Sequence, residues 1–185
     1  MNLEELARLI ERSLQRSKQV EIDGLGVFSR TRAGNISLRK SNRPRIFIAY
    51  AVEDCALAEK LFDALSSRGF APWLDRRKLL PGQNWPRRIE DAIASADFFI
   101  ACFSRNSAGK RGGFQAEIRY ALDCANRIPL DEVFLIPIRL DDCRVPMRIQ
   151  RETQYVDLFP DWNAGFERIL RIIDQQMRLR TPLAA

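Results

Sequence analysis

The chain has no histidine in its 185 residues. That absence removes the imidazole base, and with it Ser-His-Asp and Cys-His catalysis and histidine-ligated metals. Cysteine is sparse: Cys55, Cys102, Cys124 and Cys143 are widely spaced, form no CxxC pair and sit mostly in apolar surroundings. With neither histidine nor paired thiols, no metal site is expected, and the cysteines read as buried, reduced thiols of a cytoplasmic protein. No apolar run reaches the ~18 residues of a membrane span. The amino-terminal Met1-Asn2-Leu3-Glu4-Glu5 is acidic, unlike a secretory signal. Any chemistry falls to carboxylates, Lys, Arg, hydroxyls or thiols.

What is present suits one ordinary domain and a small appendage. Apolar residues make up 46% of the chain and charged residues 29%, a composition typical of soluble folds. The net charge of +6 is unevenly placed. Residues 1–45 hold ten Lys/Arg against five Asp/Glu, whereas residues 46–185 hold twenty against nineteen. The basicity therefore belongs to the appendage and says little about the main domain.

Residues 1–42 read as a helix and β-hairpin unit with a basic linker. Asn2 and Glu5 resemble a capping box, and Leu3, Leu6, Ala7, Ile10 and Leu14 form one apolar helix face. Val20, Ile22, Val27 and Phe28 read as a strand interrupted by a bulge or bend at Gly24-Leu25-Gly26. Ala33-Gly34-Asn35 is a turn, and Ile36-Ser37-Leu38 returns as a second strand. About 40 residues without metal or disulfides lie at the limit of independent folding. The unit is expected to cover an edge of the main domain or to mediate self-association.

Residues 43–180 alternate strand and helix. Strands are expected at Ile46–Tyr50, Ala71–Leu74, Phe98–Phe103, Val133–Ile138 and Gln154–Asp157. Gly69 is placed to end the first helix of the series, Pro72 marks an edge strand, and Pro86 suits the first turn of a helix. The segment after the fourth strand is expected as loop. Such alternation predicts a flavodoxin-like α/β fold, a five-stranded parallel sheet of order 2-1-3-4-5 with helices on both faces. The centre is the run Phe98–Phe103, followed by a polar loop from Ser104 to Gly113 and a helix marked by Phe114, Ile118, Ala121, Leu122 and Ala125. Glu117 borders that apolar stripe, just beyond a strand end of the kind where open α/β sheets bind ligands. A dinucleotide-binding turn is missing, because Tyr50-Ala51-Val52-Glu53-Asp54 has no glycine. A receiver domain would place a phosphorylatable Asp where Ser104 stands.

The ordered set of motifs resembles a bacterial TIR (Toll/interleukin-1 receptor) domain of the NAD-cleaving type. Arg45-Ile46-Phe47-Ile48-Ala49-Tyr50 is similar to its first box. Gly69-Phe70-Ala71-Pro72-Trp73-Leu74-Asp75 with Leu80-Pro81-Gly82-Gln83-Asn84-Trp85 is similar to its second box and following loop. Phe114-Gln115-Ala116-Glu117-Ile118 is similar to the helix carrying the family's catalytic Glu. Two positions depart from the pattern: Ala51 replaces a frequent Ser or Arg, and Gly113 stands where an aromatic often precedes the Glu. The resemblance implies an NAD+ nucleosidase with NAD+ as substrate, no separate cofactor, and Glu117 as the catalytic residue. It implies Tyr50, Trp85, Ser104 and Phe114 as candidate nucleotide contacts. Each has a structural alternative: Trp85 and Phe114 as core aromatics, Tyr50 and Ser104 as caps of strand ends. Asp75 is expected to shape its loop through backbone hydrogen bonds. Self-association is implied around Asp75, Pro81 and Gly82, and a catalytically silent adaptor working through such contacts is the competing function. The amino-terminal Val20–Phe28 segment is similar to the hairpin of bacterial HU proteins. It lacks their DNA-gripping arm, so only weak nucleic-acid binding through Arg30, Arg32, Arg39, Lys40 and Arg43 is expected.

Overall fold

The structure is a computed structural model that describes residues 3–22, 26–31, 34–39, 43–75, 84–107, 112–129 and 131–180. Several expectations lie outside the described residues: the Asn2 cap, the Gly24-Leu25 bend, Ala33 of the turn, linker residues 40–42, the Pro81-Gly82 turn and residues 108–111 of the polar loop. The chain divides into two compact units, Met1–Arg43 and Pro44–Ala185.

In the first unit, helix α1 (Leu3–Arg16) precedes strands β1 (Gln19–Ile22), β2 (Gly26–Arg30) and β3 (Ile36–Arg39). The three strands form one antiparallel sheet with β2 in the middle. This corrects the expected hairpin. Ile22 pairs with Gly26, so the chain reverses between them instead of bending within one strand. Gly26 has a φ of 126°, a conformation open to glycine and costly for a residue with a Cβ. Ile10 and Leu14 of α1 are buried.

The second unit carries the expected sheet. Its strands are β4 (Arg45–Ala49), β5 (Ala71–Trp73), β6 (Phe98–Phe103), β7 (Leu135–Arg139) and β8 (Val156–Asp157), in the order β5-β4-β6-β7-β8. Every pairing is parallel. All six residues of β6 are buried, which explains why the central strand reads as one apolar run with no polar alternation. Alternate side chains enter two cores. On one face Ile46, Ile48, Phe98, Ile100 and Ile138 meet helices α2 (Cys55–Ser67) and α6 (Trp162–Arg180). On the other face Phe47, Ala49, Phe99, Ala101 and Phe103 meet Ile93 of α3 (Trp85–Ala94), Ile118 of α4 (Gly113–Ala125) and Ile149 of α5 (Met147–Glu152).

Local chemistry sets the element ends. Helix α2 closes with Gly69 at φ 84°, its N–H bonded to the Ser66 carbonyl and that of Phe70 to the Leu65 carbonyl. Pro72 sits on the edge strand β5, where a missing N–H is tolerated. Pro137 lies inside β7, and pairing with β8 is confined to the two residues after it, Ile138 and Arg139. The fifth strand is therefore shorter than expected. Helix α5 corrects the expected loop. Six residues held by Pro146 and one buried side chain, Ile149, are too few to show a helical period.

Candidate active site

At the carboxyl edge of the sheet, β4 leads into Tyr50, β5 into Asp75 and β6 into Ser104. Helix α4 is held on the sheet by Phe114, Ile118 and Ala121. Glu117, just before Ile118, is thereby left half-buried at the border of the packed face. Burial, and then the charge of Asp75, push its carboxyl from the ordinary 4.5 up to about 7. Gly113, one turn earlier, leaves space beside it. A Cβ built on Gly113 would find Glu117 Oε1 at 4.0 Å, an ordinary contact.

Asp75 is tied to the neighbouring strand. The Tyr50 hydroxyl donates to Asp75 Oδ1 at 2.7 Å, and burial, with Asp75 beside it, raises the phenol so that it stays a donor. The side chain of Asp75 thus reaches across to Tyr50, a pairing not contained in its expected role in backbone hydrogen bonds. Tyr50 and Asp75 are joined from two separate motifs.

Ser104 is placed differently. It is 1% exposed, its hydroxyl donates to Asp54 Oδ2 and accepts from the Ser107 N–H at 3.1 Å. Asn106 Nδ2 donates to the other oxygen of Asp54 at 2.7 Å. Ser107 Oγ in turn accepts from the Ser104 N–H and donates to the Ser104 carbonyl. The hydroxyl expected to face a ribose or phosphate is occupied within the protein. Asp54, 6% exposed, was not marked by the sequence. Standing before α2, it looks like a helix cap, yet its side chain caps nothing there and instead holds the loop after β6.

The aromatic candidates separate as well. Phe114 is 9% exposed and packs edge-on against Phe103 with ring centres 5.7 Å apart, as a core residue does. Trp85 is 58% exposed at the first turn of α3. Asn84 caps that helix by accepting from the Arg87 N–H at 3.3 Å. All four cysteines are free thiols. Burial pushes Cys143 up to about 11 and Cys102 higher, so neither supplies a thiolate. Among the described residues no group of three or more Cys, Asp or Glu side chains could hold a metal ion, and no helix is long and apolar enough to cross a membrane.

Known proteins share this fold. The TIR domain of a Toll-related receptor from Hydra magnipapillata is 24% identical and superposes with a TM-score of 0.57, covering 72% of this chain and 97% of that one. The TIR domains of the activated Roq1 resistosome, which recognises the pathogen effector XopQ, are 17% identical with a TM-score of 0.56, covering 70% of this chain and 99% of that one. An uncharacterized protein, y4cD, of Sinorhizobium fredii is 26% identical over 147 residues, 79% of this chain. The match spans 22% of that relative's length. The family model described as TIR domain matches residues 46–170. With most of the chain matched and the five-stranded parallel sheet in place, this protein belongs to the TIR domain family.

Proposed function

We propose that this TIR domain is an NAD+ nucleosidase that cleaves the nicotinamide–ribose bond in bacterial defence or signalling. Its products would be nicotinamide and ADP-ribose or a cyclic isomer. One observation carries the reading: Glu117 stands half-buried on α4 at the carboxyl edge of the sheet, and burial pushes its carboxyl up to about 7. Most glycosidic bonds need an acid, because an alkoxide leaves poorly. Nicotinamide is a pyridinium cation while bonded and departs neutral, so one anion suffices. In its ionised form Glu117 opposes the positive charge that develops on the ribosyl carbon, from a site already partly cleared of water. Trp85 supplies an exposed ring for stacking on a base. Tyr50 acts through Asp75, Ser104 and Asp54 hold the loop leading towards α4, and Phe114 backs the site from the core.

The test is to incubate the purified protein with NAD+ and measure free nicotinamide. Release by the wild type and its loss in Glu117→Gln is the expected result. The second reading is a silent adaptor acting through TIR–TIR contacts around Asp75, Pro81 and Gly82. The bare Gly113 favours it, since that position offers no ring to Glu117. A wild-type protein that releases no nicotinamide, even concentrated or crowded into assemblies, would assign the chain to that class.

A further inference from the structure

The two packed faces of the sheet are tied together at its carboxyl edge. Asp54 stands immediately before α2, whose Ala58, Leu61 and Leu65 are buried in the core on one face. Its own N–H bonds the Ala51 carbonyl at 2.8 Å, which fixes it just beyond the end of β4. Its carboxylate, however, serves the neighbouring strand. Ser104 Oγ donates to Oδ2, and Asn106 Nδ2 donates to Oδ1 at 2.7 Å, both from the turn that ends β6. Ser107 closes that turn: its hydroxyl accepts from the Ser104 N–H at 2.8 Å and donates to the Ser104 carbonyl at 2.9 Å.

We propose that Asp54 is a positioning residue for Glu117. Through Ser104 it fixes the end of β6, and Phe103 at that end seats the first turn of α4. This rests on reading Glu117 as the reacting carboxylate. Each link is a bond or a packing contact. Phe103 directly precedes Ser104, is 2% exposed, and meets Phe114 edge-on with ring centres 5.7 Å apart. Phe114 is the second residue of α4, and Glu117 follows three residues later, where side chains of one helix are neighbours. A Cβ on Gly113, just before Phe114, would lie 4.0 Å from Glu117 Oε1, which places the carboxylate against this same turn. A shift of Phe114 therefore carries Glu117 with it.

Close-packed interiors transmit such a shift instead of absorbing it. Removing the Asp54 side chain leaves the buried Ser104 hydroxyl without its acceptor, and the turn must rearrange to satisfy it. Both donors to Asp54 are neutral, so the arrangement depends on shape and hydrogen bonding. An amide in place of the carboxylate can keep both contacts, with Ser104 Oγ accepting where it had donated.

Two measurements judge the proposal. The first, hydrogen exchange at single amides, needs no substrate. In Asp54→Ala the amides of Ala116 and Glu117 should exchange several-fold faster, while that of Ile136 in β7 stays as in the wild type. Asp54→Asn should restore the wild-type pattern. Equal acceleration at all three amides would make Asp54 a residue of general stability and overturns the proposal; so does no acceleration. The second is NAD+ cleavage by the folded variants. In Asp54→Ala, kcat should fall about a hundredfold, the scale of a misplacement of roughly 1 Å, with KM little changed, and it should return in Asp54→Asn. An unchanged kcat overturns it. If Asp54→Ala does not fold, Asn106→Ala removes one donor at an exposed position and should show the same selective changes at smaller size; their absence counts equally against it. A wild type that releases no nicotinamide would sink the enzyme reading alone, with the exchange pattern still deciding whether Asp54 seats α4.

Discussion

At the scale of single residues, Glu117 sets function against stability. Its folded-state carboxyl is raised to about 7 from the ordinary 4.5, so the native protein favours the protonated form. The stability this lends is fully present below pH 4.5 and is lost as pH rises through 7. Glu117→Gln has no charge to lose. It should match the wild type near pH 4 and exceed it at pH 8 by roughly 3 kcal/mol, a difference read from denaturant midpoints at the two pH values. In the NAD+ assay the same variant should keep much of its substrate affinity and be slower by about a hundredfold or more. Trp85→Ala should behave in the opposite way. The ring is exposed, so stability should shift by no more than about 0.5 kcal/mol, while the apparent KM for NAD+ rises. An unchanged KM would remove Trp85 from the nucleotide site.

At the scale of elements, the close approach of α6 to β8 is the most demanding contact. A Cβ on Gly165 would lie 2.2 Å from the Asp157 carbonyl oxygen and 2.9 Å from Leu158 Cδ2. The neighbour is backbone, and it is the strand whose Asp157 side chain holds Arg139 at 2.6 and 2.9 Å. Arg139 also lies over the rings of Tyr155 and Phe159, so the strand has little room to move away. Gly165→Ala should cost on the order of 1–3 kcal/mol in denaturant unfolding, though alanine is the better helix former. A neutral result would mean that β8 can shift as a unit. The Asp54 cluster is the corresponding device at the other loop: two donors from the turn after β6 hold a carboxylate that stands just before α2.

At the scale of the whole molecule, the proposed assembly should appear as activity per molecule that rises with protein concentration. Pro81→Asp should remove that rise while leaving the thermal transition in place. Concentration-independent cleavage by a strict monomer would count against TIR–TIR contacts as part of the site. The amino-terminal unit is proposed to contribute to self-association. Deleting residues 1–42 should lower the oligomeric state in solution, and an unchanged state would argue against that role.

The sheet was legible because parallel strands covered on both faces must be apolar throughout, as Phe98–Phe103 is, and because Gly69 and Pro72 announce a helix end and an edge strand. Glu117 was legible as a candidate through its place on an apolar stripe and a family motif. Local pattern has shorter reach than the fold. The α5 helix has too few residues to show a period, and the Ile22 to Gly26 reversal looks the same in sequence as a bend. Whether a polar side chain is available or occupied depends on partners far away in the chain. Ser104 meets Asp54 across 50 positions, and Tyr50 meets Asp75 across 25. Sequence by itself determined which residue types could do the chemistry, with carboxylates favoured once histidine was absent. Only the tertiary structure decided which carboxylate is half-buried and which is locked between donors, because burial and proximity arise when distant parts of the chain meet.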